Sequence, residues 1–146
     1  MTDISKRSVK TLRGDVRALL ESCPATALRR AARQASQLLN RELAPTGLGA
    51  AQLALLAEIA VVEDDRIGAL AARLDLDQST LSRNLRVLER AGLVEIASVE
   101  RDLRRRAVWL TEKGARRLEE AIPLWRAAQQ KLAVLGNALY AEGTKT

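Results

Sequence analysis

Apolar residues recur at helical spacing over most of the chain. In residues 5–21 they lie three or four positions apart, with basic residues on the other faces. This pattern predicts an amphipathic helix packed on the body or on a partner chain, with a basic arm on a polyanion as the alternative. The apolar positions of this helix are Val9, Leu12, Val16, Leu19 and Leu20.

A second helix is predicted from Pro24, which suits a first helical turn, to about Leu43, before Pro45 and Gly47 end it. Its expected buried stripe is Leu28, Ala31, Ala32, Ala35, Leu39 and Leu43. Residues 49–60 predict a third helix that is apolar on several faces and is therefore expected to be buried. Its large apolar residues are Leu53, Leu55, Leu56 and Ile59.

Two short helices joined by a tight turn are predicted next. The apolar positions of the first are Ile67, Leu70, Ala71 and Leu74, at i, i+3, i+4 and i+7. Residues 75–77 form the turn. Asp77 is a suitable N-cap, because its carboxylate accepts the free backbone N–H of Ser79 or Thr80. Gly92 fits the left-handed position that follows the second helix.

The second of these helices is amphipathic. At 100° per residue, its leucines fall within about 60° of one another, and a serine and three arginines cluster opposite them. The leucines are Leu81, Leu85 and Leu88, and the opposite group is Ser79, Arg83, Arg86 and Arg90. This pattern is common on surface helices. Its position after a three-residue turn favours a helix that enters the major groove of duplex DNA.

Residues 93–98 and 106–110 predict two short antiparallel strands around a basic loop. Four arginines lie within six residues here: Arg101, Arg104, Arg105 and Arg106. Such a loop is typical of a wing that places arginine in a narrow minor groove, with a solvated charged turn as the alternative. Asp102 interrupts the basic run. A carboxylate at this position is explained if it pairs with an arginine and holds the loop in shape.

Thr111 is predicted to cap a last long helix that continues to about Tyr140. Pro123 is expected to kink this helix, because its ring displaces the hydrogen bond to the Glu119 carbonyl. A narrow stripe suited to another helix is formed by Leu118, Ile122, Trp125, Gln129, Leu132 and Leu139. The predicted fold class is therefore mainly α, with five or six helices and a small β-hairpin wing.

Composition limits the classes of function. The chain has 146 residues, of which 47% are hydrophobic and 29% charged, and this fits one folded domain. The net charge of +6 favours a nucleic acid or an anionic surface as partner. There is no His and only one Cys, which argues against a His-based triad, a metal site or an internal disulfide.

We therefore expect no enzyme activity, no metal and no cofactor, since a glycine-rich phosphate loop is also missing. No apolar run approaches the roughly 20 residues needed to span a bilayer. The first ten residues lack the apolar core of a signal peptide. A cytoplasmic protein with no membrane partner is the expectation.

Two separated segments resemble the MarR family of bacterial transcriptional regulators: STLSRNLRVLERAGLVE at residues 79–95 and DLRRRAVWLTEKG at residues 102–114. The second segment is similar to the family's D-x-R wing followed by L-T-x-x-G. The resemblance extends over nearly the whole chain, from about Pro24 to Leu135. It implies a winged helix-turn-helix lobe at residues 49–114, and a helical dimerisation region at residues 1–48 and 115–146.

The resemblance also implies a homodimer that binds double-stranded DNA at a pseudo-palindromic operator, commonly as a repressor. A small-molecule effector bound between the two regions would release the DNA. By position, the DNA-binding residues implied are Ser79, Thr80, Ser82, Arg83 and Arg86 on the recognition helix, with Arg101, Asp102 and Arg104 on the wing. The chain departs from the family in having Asp75 where the turn often has Gly, and almost none of the aromatic residues that line phenolic-ligand pockets.

Two alternatives stay open. Cys23 near the start of a helix is a possible redox site, as in the family branch that senses organic peroxides, although a small buried apolar residue explains it more simply. A winged-helix module that binds protein is the other alternative. The arginines on both the recognition helix and the wing argue against it.

Overall fold

The structure of the protein is a computed structural model that describes residues 3–62, 66–99 and 102–143, with side chains described for residues 11–62, 66–98 and 106–137. The described residues form six α-helices, a short 3-10 turn and one antiparallel hairpin. In chain order these are α1 (Asp3–Ser22), α2 (Pro24–Leu43), the 3-10 turn (Ala44–Thr46), α3 (Ala50–Val61), α4 (Ile67–Leu74), α5 (Gln78–Arg90), β1 (Val94–Val99), β2 (Asp102–Leu110) and α6 (Glu112–Gly143). The prediction of a mainly helical chain with one hairpin is confirmed.

The core is built around α3, which packs against α2, α4, β2 and α6. Its predicted burial is confirmed, since Leu55 and Leu56 are 1% and 0% exposed. Leu43 from α2 and Leu70 from α4 are buried in the same cluster. Because the helix is apolar on several faces, neighbouring elements can pack on more than one side of it.

α4 and α5 meet at the predicted three-residue turn. Asp75 adopts a φ of 52°, in the left-handed region that Asp tolerates better than most residues. The buried face of α5 consists of the predicted Leu81, Leu85 and Leu88. After α5, Gly92 has a φ of 72°, and the Leu93 N–H donates to the Leu88 carbonyl at 2.9 Å. This glycine-based ending stops the helix where the sequence predicted.

The hairpin differs from its prediction at one end. The second strand begins at Asp102 rather than at Arg106, and Asp102 pairs with Val99 across a register shift. The arginine-rich sequence suggested a loop. Charged side chains are, however, common in short exposed edge strands, where one row of side chains faces water. The strand therefore carries the basic run towards the tip of the hairpin.

The start of α6 is attached to the residues that follow α5 by three hydrogen bonds, and a fourth bond caps α6. Its N–H and hydroxyl donate to the carbonyls of Leu93 and Gly92 at 3.1 and 2.6 Å, and its Oγ1 accepts the Gly114 N–H at 3.0 Å. Lys113 Nζ donates to the Ala91 carbonyl at 2.7 Å. Thr111 thus caps α6, as predicted.

Gly114 is required by a close backbone approach. A Cβ built on Gly114 would lie 1.9 Å from the Leu93 carbonyl oxygen, which is well inside van der Waals contact. Only glycine lets α6 come this near to the end of α5. The L-T-x-x-G pattern noted in the sequence therefore has a structural cause, because its Thr and Gly both hold the same joint.

α2 is covered less completely than predicted, whereas the stripe of α6 was predicted only to suit another helix. On α2, Leu28 is 69% exposed and Ala32 is also exposed, so their predicted burial is wrong for the single chain. α6 continues through Pro123 and packs on the body through the buried Ala121 and Ala128. On its predicted stripe, Ile122, Trp125 and Gln129 are exposed, Leu118 and Leu132 are half-buried, and the Leu139 side chain lies outside those described.

Within the described part of the chain, no other helix or strand packs closely on α1. Its apolar residues Leu12, Val16, Leu19 and Leu20 are 44–64% exposed. The helix is therefore amphipathic, as predicted, but its apolar face is uncovered in the single chain.

Among the described residues, no single helix is long and apolar enough to cross a membrane. Only α2 with its 3-10 turn, taken together with α3 at an angle of 72°, meets that criterion of length and composition.

Candidate nucleic-acid interface

The outer face of α5 carries a row of cations on a rigid support. Arg83, Arg86 and Arg90 are exposed, while the leucines on the opposite face are at most 1% exposed. Within the described side chains, the ion pairs join Glu58 to Arg73, Glu112 to Arg116, Glu120 to Arg117 and Glu42 to Lys131. No described carboxylate therefore neutralises the arginines of α5, and their charge is available to an anion.

The N-terminus of α5 is organised by one carboxylate. Asp77 Oδ1 accepts the Thr80 backbone N–H at 2.8 Å, which is the predicted N-cap bond, and also the Ser79 hydroxyl at 2.6 Å. Asp77 Oδ2 accepts the Thr80 hydroxyl at 2.7 Å. Arg83 Nη2 then donates to Thr80 Oγ1 at 3.4 Å. Four residues that the sequence placed at this end of the helix thus form one network.

The network also keeps Asp77 ionised. Hydrogen bonds from the Ser79 hydroxyl, and then from the hydroxyl and N–H of Thr80, hold the pKa of Asp77 well below its usual range. An ionised carboxylate only accepts hydrogen bonds. At any pH near neutrality, both hydroxyl protons are therefore directed to Asp77.

A cleft of about 520 Å³ lies beside this helix end, where α4, α5 and β2 meet. It is lined by Arg66, Ile67, Gly68, Ala69, Gln78, Ser82 and Arg106. Arg66 is brought to β2 by an isolated bridge between its backbone and Ala107. The cleft thus combines two arginines with the first turn of α4, whose backbone N–H groups and helix dipole favour an anion.

The sequence-predicted residues fall into three groups in the structure. Ser79, Thr80 and Arg83 belong to the network, Ser82 lines the cleft, and Arg86 lies on the exposed face of α5. Arg101 lies outside the described residues. The backbones of Asp102 and Arg104 belong to β2, and their side chains lie outside those described, so the brace by Asp102 stays a prediction.

Sequence reasoning missed Arg66, Gln78 and Arg106 as lining residues of the cleft. Arg66 precedes α4 by one residue, so no helical periodicity marks it. Arg106 was counted among the arginines of the loop and as the first residue of the second predicted strand, but not as part of a cleft. Arg66 and Arg106 come together in the cleft because the Arg66 backbone pairs with that of Ala107. This is a long-range pairing that local sequence patterns do not reveal.

A second groove, of about 450 Å³, is apolar throughout and lies between α2, α3 and α6. It is lined by Leu39, Ala50, Leu53, Ala54, Ala57, Ala60, Val61, Leu118, Ile122 and Trp125. No charged or hydrogen-bonding side chain belongs to this lining other than the Trp125 indole. Apart from Val61, the exposed residues of α3 are alanines, which leave the space that larger residues would fill.

Cys23 is the N-cap residue of α2 and is half-buried. The nearby hydroxyl and backbone N–H of Thr26 lower the pKa of the thiol, and the charge of Arg29 adds a smaller effect in the same direction. Among the described residues, no group of three or more acidic or Cys side chains is placed to hold a metal ion.

Residues 46–105 match the sequence model of the MarR family. The transcriptional regulator MosR of M. tuberculosis, solved in complex with DNA, is 36% identical, with a TM-score of 0.69 over 85% of this chain and 99% of that one. A mutant MarR from E. coli complexed with operator DNA is 28% identical, with a TM-score of 0.69 over 78% and 83% of the two chains.

AbsC, a MarR family transcriptional regulator from Streptomyces coelicolor, is 25% identical, with a TM-score of 0.66 over 77% of each chain. A search of curated proteins gave no match.

Proposed function

This chain belongs to the MarR family, and on that premise we propose that it is a transcriptional regulator that binds duplex DNA through α5 and the hairpin. The observation that carries the proposal is the outer face of α5, where three exposed arginines stand on a helix fixed by buried leucines. A cationic helix after a tight turn is suited to the major groove.

Each part of the surface has a separate role in this proposal. The N-terminal residues of α5 read base edges, with Ser79, Thr80, Ser82, Arg83 and Arg86 as the contacts. The cleft at the first turn of α4 holds a backbone phosphate, supported by Arg66 and Arg106 on its walls. The wing residues Arg101, Asp102 and Arg104 enter or border the adjacent minor groove.

We also propose that two copies form a homodimer through the terminal helices. The support is the uncovered apolar face of α1, together with exposed apolar residues on α2 and α6 such as Leu28 and Val134. Surfaces of this kind are uncommon on monomers, because they leave apolar area in water. Two α5 helices in such a dimer would read half-sites about 34 Å apart.

The apolar groove between α2, α3 and α6 is our proposed effector site. It joins helices of both regions, so a molecule that fills it changes the angle between them. Its lining favours a small uncharged apolar compound over an anionic one, since a buried carboxylate would have no partner there. In this proposal, binding of the compound releases DNA, and the protein is a cytoplasmic repressor, as is common in the family it belongs to.

DNA reading is tested by comparing Arg83→Ala with wild type on a duplex selected from random DNA and on a scrambled duplex. A bidentate arginine–guanine contact contributes roughly 1–3 kcal/mol of discrimination. We expect a loss of about tenfold or more in affinity for the selected duplex and a smaller loss for the scrambled one. Arg126→Ala removes the same charge from an exposed position on α6 and serves as the control.

Equal losses on both duplexes would demote Arg83 to a phosphate contact. If wild type binds neither duplex in a salt-dependent way, the protein-binding module becomes the better reading, because phosphate contacts always make affinity fall with salt.

The effector site is tested with N-phenyl-1-naphthylamine, an uncharged probe whose fluorescence rises in apolar surroundings. Trp109→Phe leaves Trp125 as the only tryptophan. Because Trp125 lines the groove, a probe bound there is expected to quench the Trp125 emission. Ala57→Phe fills the groove and should abolish the signal. Quenching that survives Ala57→Phe would place the probe elsewhere.

A further inference from the structure

The N-terminal end of α5, which reads base edges in our proposal, contains two hydroxyl groups that already donate their protons to Asp77. Ser79 Oγ donates to Asp77 Oδ1 at 2.6 Å, and Thr80 Oγ1 donates to Asp77 Oδ2 at 2.7 Å. Both bonds end on a charged acceptor, and such bonds are roughly twice as strong as those between neutral groups. A hydroxyl that turned its proton towards DNA would have to give up this stronger bond.

A count of donors and acceptors shows what remains for a ligand. Each hydroxyl has one proton and two lone pairs. Ser79 keeps both lone pairs. Thr80 keeps one, because Arg83 Nη2 donates to the other at 3.4 Å. The two hydroxyls therefore present only acceptors to the outside, whereas the Arg83 guanidinium presents only donors.

We propose that Asp77 fixes the polarity of this surface, so that Ser79 and Thr80 accept hydrogen bonds from the exocyclic amino groups of adenine or cytosine in the major groove. Adenine N6 and cytosine N4 are the only major-groove donors on base edges, while guanine and thymine present acceptors in their place. The inference rests on the proposed function, in which the N-terminus of α5 reads DNA.

Asp77 is a positioning residue in this arrangement, because it acts through the two hydroxyls. Arg83 complements them, since its donors suit the O6 and N7 acceptors of guanine. A serine or threonine free to rotate would serve as donor or acceptor and discriminate poorly between these edges. The fixed network turns two unselective hydroxyls into selective ones.

Asp77→Asn changes which groups at this surface donate and which accept hydrogen bonds, while it keeps the N-cap of α5. Asn is as good an N-cap as Asp, so the bond from the Thr80 N–H is retained. Its amide nitrogen replaces Oδ2 and donates to Thr80 Oγ1, and the Thr80 proton then turns outwards. Asp75→Asn removes the same charge from the neighbouring turn, at a left-handed position that Asn also tolerates, and is the matched control.

The experiment selects binding sites from random duplexes with wild type, Asp77→Asn, Asp75→Asn and Thr80→Val. Thr80→Val identifies the base pair that depends on the hydroxyl. At that pair, we expect Asp77→Asn to change the preferred base by a transition, from the amino base to its keto counterpart. Asp75→Asn should keep the wild-type preference. An unchanged preference in Asp77→Asn would overturn the proposal.

A second arm uses only wild type and Thr80→Val, so it does not depend on Asp77→Asn folding. The adenine or cytosine of the identified pair is replaced by purine or 2-pyrimidinone, which lack the amino group. We expect wild type to lose about fivefold in affinity, the size of one net hydrogen bond, and Thr80→Val to lose nothing further.

Equal binding of both duplexes by wild type contradicts the inference while leaving DNA binding intact. A wild-type protein that selects no site would instead contradict the proposed function.

Discussion

α1 and α5 have the same amphipathic pattern and different surroundings. Both place leucines on one face and arginines on the others. The leucines of α5 are 0–1% exposed, whereas Leu12, Leu19 and Leu20 of α1 are 59–64% exposed. The pattern therefore predicts a helix and its apolar face, but it does not say which surface covers that face. For α5 the cover is the chain's own core, and for α1 we propose a second copy.

The difference also separates two uses of arginine. On α5 the arginines stand on a helix that cannot rotate, because its leucines are locked in the core. On α1 the helix has no close neighbour in the described chain, so no element of that chain fixes the direction of its basic residues. Only the first arrangement holds side chains accurately enough to read base edges.

The largest effect is expected at the joint between α5 and α6. Gly114→Ala puts a Cβ 1.9 Å from the Leu93 carbonyl oxygen, so the backbone must move. We expect a loss on the order of 3 kcal/mol or more in the free energy of unfolding, as for other overpacked sites. Urea denaturation followed by circular dichroism measures it.

Gly136→Ala is the control in the same helix, because a Cβ there meets nothing within 4 Å. This change should stabilise the helix by roughly 0.5–1 kcal/mol. If both variants behave alike, the close approach at Gly114 is not a constraint.

The next effect contrasts the two leucine faces. Leu85→Ala leaves a cavity in the core and should reduce the free energy of unfolding by roughly 2–5 kcal/mol. Leu19→Ala should leave the lobe's own stability nearly unchanged and shift the monomer–dimer equilibrium instead. Sedimentation velocity over a range of concentrations detects that shift. Unchanged self-association in Leu19→Ala would argue against α1 as part of the dimer interface.

A smaller effect is expected for DNA binding, where an arginine of α5 is compared with an arginine of α1. Arg86→Ala on α5 should lower affinity for DNA and reduce the slope of log K against log salt, because it removes a cation from the proposed interface. Arg17→Ala on α1 should change neither. A loss of slope in Arg17→Ala would support the alternative in which α1 is a basic arm on DNA.

The smallest effect concerns Cys23, at the junction of α1 and α2. A lowered thiol pKa means more thiolate at neutral pH, so alkylation by iodoacetamide should have its midpoint below the pH of about 8.5 usual for a free thiol. Thr26→Val removes the main cause and should slow alkylation at pH 7. Arg29→Ala should slow it less.

The redox alternative needs one further result. If peroxide-treated wild type loses DNA binding and Cys23→Ser keeps it, Cys23 is a sensor. If both keep it, the thiol is a small half-buried residue and nothing more.

The predictions from the sequence succeeded where the cause is local. The Asp77 cap, the left-handed Gly92 and the start of α2 at Pro24 each depend on neighbouring residues alone. They failed where distant residues decide. The sequence could not show that β2 continues to Asp102, because that depends on its pairing with β1.

Exposure on α2 and the makeup of the cleft were missed for the same reason. Leu28 suits a buried stripe by its spacing, but the described residues of the single chain leave it 69% exposed. The wall formed by Arg66 and Arg106 exists because α4 begins beside β2. Local patterns identified the residues that read DNA in our proposal, while tertiary contacts determined how they are grouped.

The most direct test of the account is the form of the site that wild-type protein selects from random duplex DNA. If α5 reads bases and the terminal helices join two copies, the selected site has two inverted half-sites with centres about 10–10.5 base pairs apart. No enriched sequence, or one half-site without an inverted partner, would contradict this claim.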